Sequence, residues 1–331
     1  MEGKMQDFRI VLFHCALSFL LIFAIITPGT GYGAEYPSKP ITVLVGFPPG
    51  GPADLGARVV GEKLSQGLGV PVVIKNQPGA GGCVAAAAVT KAKPDGYTLV
   101  WATIGAISTS LATRSDLQYT LDDFTPIAKT IVFPGIIAVR EDSPFKDFKQ
   151  LYEYIKANPG KLTMGSDGVG SSPHMHWTIL ASQAGLEVKH IPFKGAGPNS
   201  AQLLGGHVDF AITVLGPVMP SLKAGKLRAL AFFSPKRSPF FPDVPTTKEL
   251  GYPDSARTAF HGYLGPAGLP ESVLSKLEGP IKAAVNDPEV DKTLGKFGVE
   301  PDYLNAKDFA AFLQESLKTY TEIAVKFHLR K

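Results

Sequence analysis

Four short stretches of this chain carry the residue types from which a binding or reactive site is built. All four share one plan: an apolar run, then glycine, then a helical pattern. They are FPPGGPAD at 47–54, NQPGAGG at 76–82, GSDGVGSSPHMHW at 165–177 and FKGAGP at 193–198. Glycine at such a junction lets the main chain approach a ligand closely. The first turn of the following helix presents unpaired N–H groups at the positive end of its dipole. That combination is a ready anion site, so four of them point to a protein that holds something small and negatively charged.

Each stretch also has a plainer reading. Gly50 and Gly51 bring the main chain close, and Asp54 falls in the first helical turn, where its charge suits the dipole. The same residues serve equally as a strand-to-helix connection with Asp54 as a cap. This stretch lacks the Gly-x-Gly-x-x-Gly spacing of dinucleotide folds and the Gly-Lys-Ser/Thr of a P-loop. In NQPGAGG, Asn76 either caps a helix or turns its amide toward a ligand, and tight packing alone would account for the glycines. The third stretch admits three readings: serine with histidine as nucleophile and base, His174-x-His176 as a metal pair, or an anion cradle using Ser166, Ser171 and Ser172. There is no Gly-x-Ser-x-Gly elbow. Histidines two apart point about 200° apart on a helix and would not share one metal, while Pro173 suits a helix start. His174 either reaches into a cleft or is a buried structural residue. Lys194 is a mobile cation beside a glycine turn, or a solvated surface charge. Asp209 is read as structural. No catalytic set and no cofactor motif emerges, so binding is favoured over turnover, with no metal or cofactor expected. An exported hydrolase or isomerase using Ser171 or His174 stands as the alternative.

The elements that must position these stretches alternate. Strands are expected near 41–47, 71–75, 97–102, 135–140, 162–165, 188–193, 208–213, 228–233 and 258–264. Helices are expected near 53–67, 80–91, 146–157, 172–184, 198–205, 216–224, 246–250, 270–285, 288–298 and 306–327. That order argues for βαβ units and parallel sheets. Pro126–Pro134 and Pro253–Pro270 read as paired crossovers. They divide the mature chain into a discontinuous first unit, 35–133 plus 257–331, and an inserted second unit, 134–256. Ligands in open α/β sheets sit beyond the carboxyl ends of strands, which is where all four glycine junctions lie.

The 331 residues are 44% apolar and carry a formal net charge of +4 with no long basic block, so charge does not favour nucleic acid as a partner. Lys4 and Arg9 precede an apolar run from Ile10 to Ile26, broken by Pro28-Gly29 and followed by Gly31, Gly33 and Ala34. This pattern reads as a signal peptide over 1–34, cleaved near Gly33 or Ala34. The mature protein is then expected in the periplasm. Cys15 leaves with the signal, and Cys83 has no partner for an internal disulfide.

Taken in order, these stretches make the chain resemble the exported solute-binding proteins of tripartite tricarboxylate transporters, the Bug family. The matching segments include YPSKPITVLVGFPPGGPADLGAR (36–58), VVIKNQPGAGG (72–82), KAKPDGYTLV (91–100), GSDGVGSSPH (165–174), HIPFKGAGP (190–198), PDVPTTKELGYP (242–253) and GPAGLPESVLSKL (265–277). The resemblance implies an α/β, two-lobed periplasmic binding protein fold (type II-like) with a hinge and an interlobe cleft. It implies a monomer, not an enzyme, that captures a small carboxylate and delivers it to membrane transporter subunits or to a sensor protein. One carboxylate would be held by main-chain N–H groups and ordered water rather than by an arginine clamp. Carried over by motif, the contacts fall on Phe47, Pro48, Gly50, Gly51, Asp54, Ala80 and Gly81 in one lobe. In the other they fall on Ser166, Gly170, Ser171, His174 and Lys194. Two departures bear on ligand identity. Cys83-Val84-Ala85 stands where the family often has glycine or asparagine. Phe260-His261-Gly262 stands where it commonly has tryptophan and a second aromatic before glycine, which points to a different ligand tail or an added titratable contact.

Overall fold

Strand β1 (Ile41–Val45), helix α1 (Pro52–Leu68), strand β2 (Val72–Asn76), helix α2 (Cys83–Thr90) and strand β3 (Thr98–Thr103) repeat the apolar-run, glycine, helix plan. The computed structural model describes residues 36–326, 328 and 329; the expected signal peptide lies outside them. Of the contact unit Met1–Ser38 only 36–38 are described, and they form no helix or strand; everything below belongs to the unit from Lys39 onward. A short helix α3 (Ser110–Thr113) follows a π-helical turn at Gly105–Thr109, and strand β4 (Phe124–Arg140) comes next. The chain continues through α4 (Phe148–Ala157), β5 (Thr163–Ser166), α5 (Ser172–Ala184), β6 (Lys189–Pro192), α6 (Ala196–Leu204), β7 (Phe210–Val214), α7 (Leu215–Lys223) and β8 (Leu227–Phe233). It closes with β9 (Thr258–Pro266), α8 (Glu271–Val285), α9 (Pro288–Gly295), β10 (Glu300–Leu304) and α10 (Ala306–Lys326).

The strands lie in the order β2-β1-β3-β9-β4-β7-β5-β6, with β10 and β8 also paired to β4. β4 is shared: residues 124–134 pair with β9 and residues 129–132 with β10, whereas residues 135–140 pair with β7 and β8. Among the strands of the described residues, the expectation of parallel pairing holds for β1 with β2 and β3, and for β5 with β6 and β7. Every pairing of β4 and of β9 is antiparallel. The reason is connectivity, since β4 carries the chain out of one set of strands and β9 carries it back. Pro126 and Pro134 therefore lie inside a strand rather than in a separate crossover. The register against β9 shifts between Pro126 and Ala128, as fits a residue with no N–H to give to the ladder.

Burial explains why the central strands read as continuous apolar runs. Along β4, Ile137 and Val139 enter a core with Phe148, Leu151, Trp177 and Phe210, while Ile136 and Ala138 enter another with Leu215, Val218 and Phe232. Alternate side chains point to opposite faces, and both faces are covered. The helix expected at 246–250 is absent. Thr246 and Glu249 exchange the side-chain-to-backbone bonds of a helix start, but Gly251 turns to φ +93° and Pro253 follows, so the segment stops after one turn. The buried turn at 105–113 and strand β10 carry no comparable sequence signal, being rich in Ser and Thr or in polar residues.

Lys129 on β4 is paired with Asp302 on β10 and lies over the Phe312 ring at 4.6 Å. Its side chain is only 7% exposed, whereas that of Asp302 is 40% exposed, so water can partly replace the carboxylate. Asp302→Ala is expected to lower stability by about 1–2 kcal/mol in urea unfolding, short of the penalty for breaking a fully buried pair.

Candidate functional site

A cavity of about 440 Å³ opens where the strand-end loops of both sets of strands converge. On one side stand Phe47–Ala53, Gly81 and Thr103–Gly105, and on the other Asp167, Ser171–Pro173, Lys194–Pro198 and part of α7. The strands between them contribute Phe133, Ala259 and His261.

The loop after β1 is shaped by Gly50 at φ +80°, and Gly51 precedes Pro52 in the first turn of α1. Pro52 brings no N–H, and its fixed φ suits that position. Beneath the loop lies Asp54, which is 4% exposed. Its carboxylate accepts from the Gly50 N–H (2.9 Å), Arg58 Nε (3.0 Å) and Asn76 Nδ2 (2.9 Å). Asn76 Nδ2 also donates to the Phe47 carbonyl at 2.9 Å. Burial alone would raise the Asp54 pKa, but the bonds from Arg58, Gly50 and Asn76 outweigh it and hold the carboxyl below its ordinary value. Asp54 and Asn76 thus act as a strut under the loop, and the Gly50 amide is committed to Asp54. Close packing fixes the neighbouring glycine turn, because a Cβ on Gly46 would lie 2.4 Å from Gly82 Cα.

Of the residues singled out in the sequence, Phe47, Pro48, Gly50, Gly51, Gly81, Ser171 and Lys194 line the cavity. Asp54, Ala80, Ser166, Gly170 and His174 do not border it. Ala80 is exposed in the turn, with φ +48°. Ser166 is fully buried, with its Oγ 2.6 Å from His190 Nε2 and accepting from the Gly168 N–H. His174 Nδ1 accepts from the Gly170 N–H at 3.2 Å, and the His174 ring stacks on His190. His176 instead meets the Tyr320 hydroxyl at 2.9 Å, so the two histidines of the His-x-His pair sit in different environments.

A serine–histidine hydrogen bond therefore exists, between Ser166 and His190, but it lies off the cavity wall, and burial lowers the His190 pKa. The Oγ atoms of Ser171 and Ser172 are buried in the wall without a hydrogen-bond partner among the described residues. Among the described residues Ser171 has no base bonded to it, which a nucleophile requires.

Asp167 is the residue that sequence reasoning passed over. It borders the cavity and accepts from Asn199 Nδ2 (2.8 Å) and the Val214 N–H (3.2 Å). Burial pushes its pKa up to about 6, against the pull of those bonds. It sits inside the quoted GSDGVGSSPH stretch, so its place after β5 was the available signal. Thr103–Gly105 follow β3 by the same strand-then-glycine rule. Lys296 and Phe297 follow α9 and carried no signal at all.

The family model described as "Tripartite tricarboxylate transporter family receptor" (TctC) matches residues 56–329. This chain belongs to the tripartite tricarboxylate transporter receptor family. Protein BugT of Bordetella pertussis is 31% identical over 290 residues, covering 87% of this chain and 89% of that protein. Among solved structures, the periplasmic binding protein BugD is 32% identical with a TM-score of 0.82, over 89% of this chain and 100% of that one. MatC from Rhodopseudomonas palustris, solved with bound malate, is 30% identical with a TM-score of 0.80, over 87% of this chain and 99% of that one. The receptor fold is accordingly α/β and two-lobed, as in other periplasmic binding proteins, and the family is one of solute-binding proteins rather than enzymes. No helix among the described residues is long and apolar enough to cross a membrane.

Proposed function

We propose that this receptor captures a small carboxylate in the cavity and presents it to the membrane subunits of a tripartite transporter. One observation carries the reading: main-chain glycine loops from both sets of strands, at Gly51, Gly81, Gly105 and Gly195, border one cavity. Lys194 and Lys296, both exposed and with no ion-pair partner among the described residues, stand at the same cavity. Their charge draws an anion in, and the loops take its oxygens. The malate bound to MatC shows a small carboxylate as the ligand of a related protein.

In this reading Phe47, Pro48, Gly51, Gly81, Ser171 and Lys194 face the ligand, while Asp54, Ala80, Ser166, Gly170 and His174 hold the loops in place. The lobes are 35–133 with 257–331, and 134–256, with β4 and the entry to β9 as the hinge. The ligand favours the closed arrangement because it bonds to both lobes at once. The protein works as a monomer in the periplasm, after removal of the leader near Gly33 or Ala34, and catalyses nothing.

Calorimetry with a panel of mono-, di- and tricarboxylates tests this. At least one acid is expected to bind with measurable heat and to be recovered unchanged. Silence across the panel at high protein concentration, or any conversion of a bound acid, overturns it. Ser171→Ala is expected to weaken binding about three- to tenfold, the worth of one neutral hydrogen bond, with no turnover in either protein.

A further inference from the structure

We infer that His261 is a fixed, uncharged hydrogen-bond donor that selects ligands carrying a neutral oxygen acceptor at a distance from the carboxylate. The inference rests on the carboxylate-binding reading above and names the ligand class within it.

The tautomer follows from one contact. Trp101 Nε1 lies 2.9 Å from His261 Nδ1, with both side chains buried. An indole nitrogen only donates. Nδ1 must therefore accept, and the neutral ring carries its proton on Nε2. A doubly protonated ring would set an N–H against the indole N–H and would bury a charge. The ring packs against Trp101 at a centroid distance of 5.8 Å and Phe133 at 4.7 Å, and no ion pair among the described residues involves it. Burial accordingly lowers the pKa to about 3. The titratable contact expected at this position is thus a donor that stays neutral over the physiological range.

Nε2–H finds no acceptor among the described residues, and His261 borders the cavity beside Phe133 and Ala259. A donor in that position needs an acceptor from the ligand or from water. An ionised second carboxylate set against the buried His261, Phe133 and Ala259 would lose hydration that one neutral N–H does not replace, which is costly. A ketone or amide carbonyl is satisfied by one bond and leaves nothing uncompensated. The ligand class is therefore a monocarboxylate with an uncharged carbonyl further along its chain, lying over the Phe133 wall.

Matched acids test this by calorimetry on the full mature protein: 4-oxopentanoate, 5-oxohexanoate and 6-oxoheptanoate, each against the acid with CH–CH3 in place of C=O. In the parent protein one keto acid is expected to bind about three- to tenfold more tightly than its branched match. In His261→Phe that difference is expected to vanish, whatever the change in affinity for the branched acid, a cycle that separates contact from fold. Equal binding of keto and branched acids by the parent overturns the inference alone. A preference that survives in His261→Phe does so too. Failure of every acid to bind, keto, branched or dicarboxylate, overturns the carboxylate reading itself. Should His261→Phe not fold, nitrogen-15 NMR of the parent decides. The His261 signals are expected to stay those of the Nε2–H tautomer from pH 5 to 8, with Nε2 moving on addition of the keto acid only. A ring that titrates in that range, or an Nε2 signal that ignores the keto acid, overturns the proposal.

Discussion

Asp54→Ala is expected to lower stability by about 2–3 kcal/mol and to weaken carboxylate binding about thirtyfold or more. Asp54 is nearly fully buried, and its removal strips the Gly50 amide and the Asn76 side chain of their shared acceptor. It also leaves the Arg58 guanidinium without its carboxylate. Unpaired groups of this kind cost about 1–3 kcal/mol each when buried, and less where, as at Arg58, water reaches them. The loss of affinity has a different origin. With the strut gone, two or so residues of the 47–51 loop must be re-ordered at each binding event, at about 1 kcal/mol or more apiece, and about 2 kcal/mol is some thirtyfold in affinity. The pH dependence has a definite sign. The Asp54 pKa is depressed in the folded chain, so its contribution is full above the ordinary carboxylate range and fades as pH falls through the lowered value. Urea unfolding at about pH 7 and at about pH 3 checks this: the parent should have begun to lose the Asp54 contribution at the lower pH, and Asp54→Ala should have none to lose. An alanine variant as stable and as tight-binding as the parent would remove the strut from the account.

Asp167 is expected to make anion binding stronger as pH falls. Its carboxyl borders the cavity with a pKa pushed up to about 6 by burial. At about pH 7 it is mostly ionised and repels a carboxylate ligand; by about pH 5 it is mostly neutral. At an effective dielectric near 20, two like charges several ångströms apart are opposed by a few kcal/mol, and solvent in the cavity reduces that to about 1–2 kcal/mol. Calorimetry should therefore show affinity for a carboxylate rising about tenfold from pH 7 to pH 5, and Asp167→Asn should flatten the profile at the tighter value. For the unliganded fold the sign is that of a raised carboxyl. Its contribution to stability is fully present below the ordinary value of 3.8 and is lost as pH rises from there through about 6, by about 3 kcal/mol at this site. The asparagine variant should not show that decline. Affinity that is flat with pH in the parent, or an asparagine variant that binds more weakly at pH 7, would mean that Asp167 does not meet the anion.

How far the sequence reveals this site depends on the kind of residue. The glycine loops were legible because main-chain geometry forces glycine there, and seven of the twelve singled-out residues border the cavity. Asp54 and His174 were legible as members of motifs but not as supports. Type and spacing do not say whether a polar side chain beside a loop faces a ligand or ties the loop down. Here Asp54 turns back to Gly50, and His174 to Gly170. Most helices and strands follow from periodicity, and α5 over Ser172–Ala184 matches the expected range. The long β4 was half missed because two prolines interrupt it, and its role as a strand common to both sheets is a property of tertiary pairing that no local pattern encodes. His261 was noticed as a departure from the family, but its protonation is set by Trp101, 160 residues away in sequence.

That indole has a practical use. The chain contains two tryptophans, and Trp177 is packed in a core against Phe210, in a helix–sheet contact away from His261. Trp101 donates to His261, which borders the cavity. Occupancy should thus be readable from the protein's own ultraviolet emission, without a dye, by comparing the parent with Trp177→Phe, whose remaining signal comes from position 101.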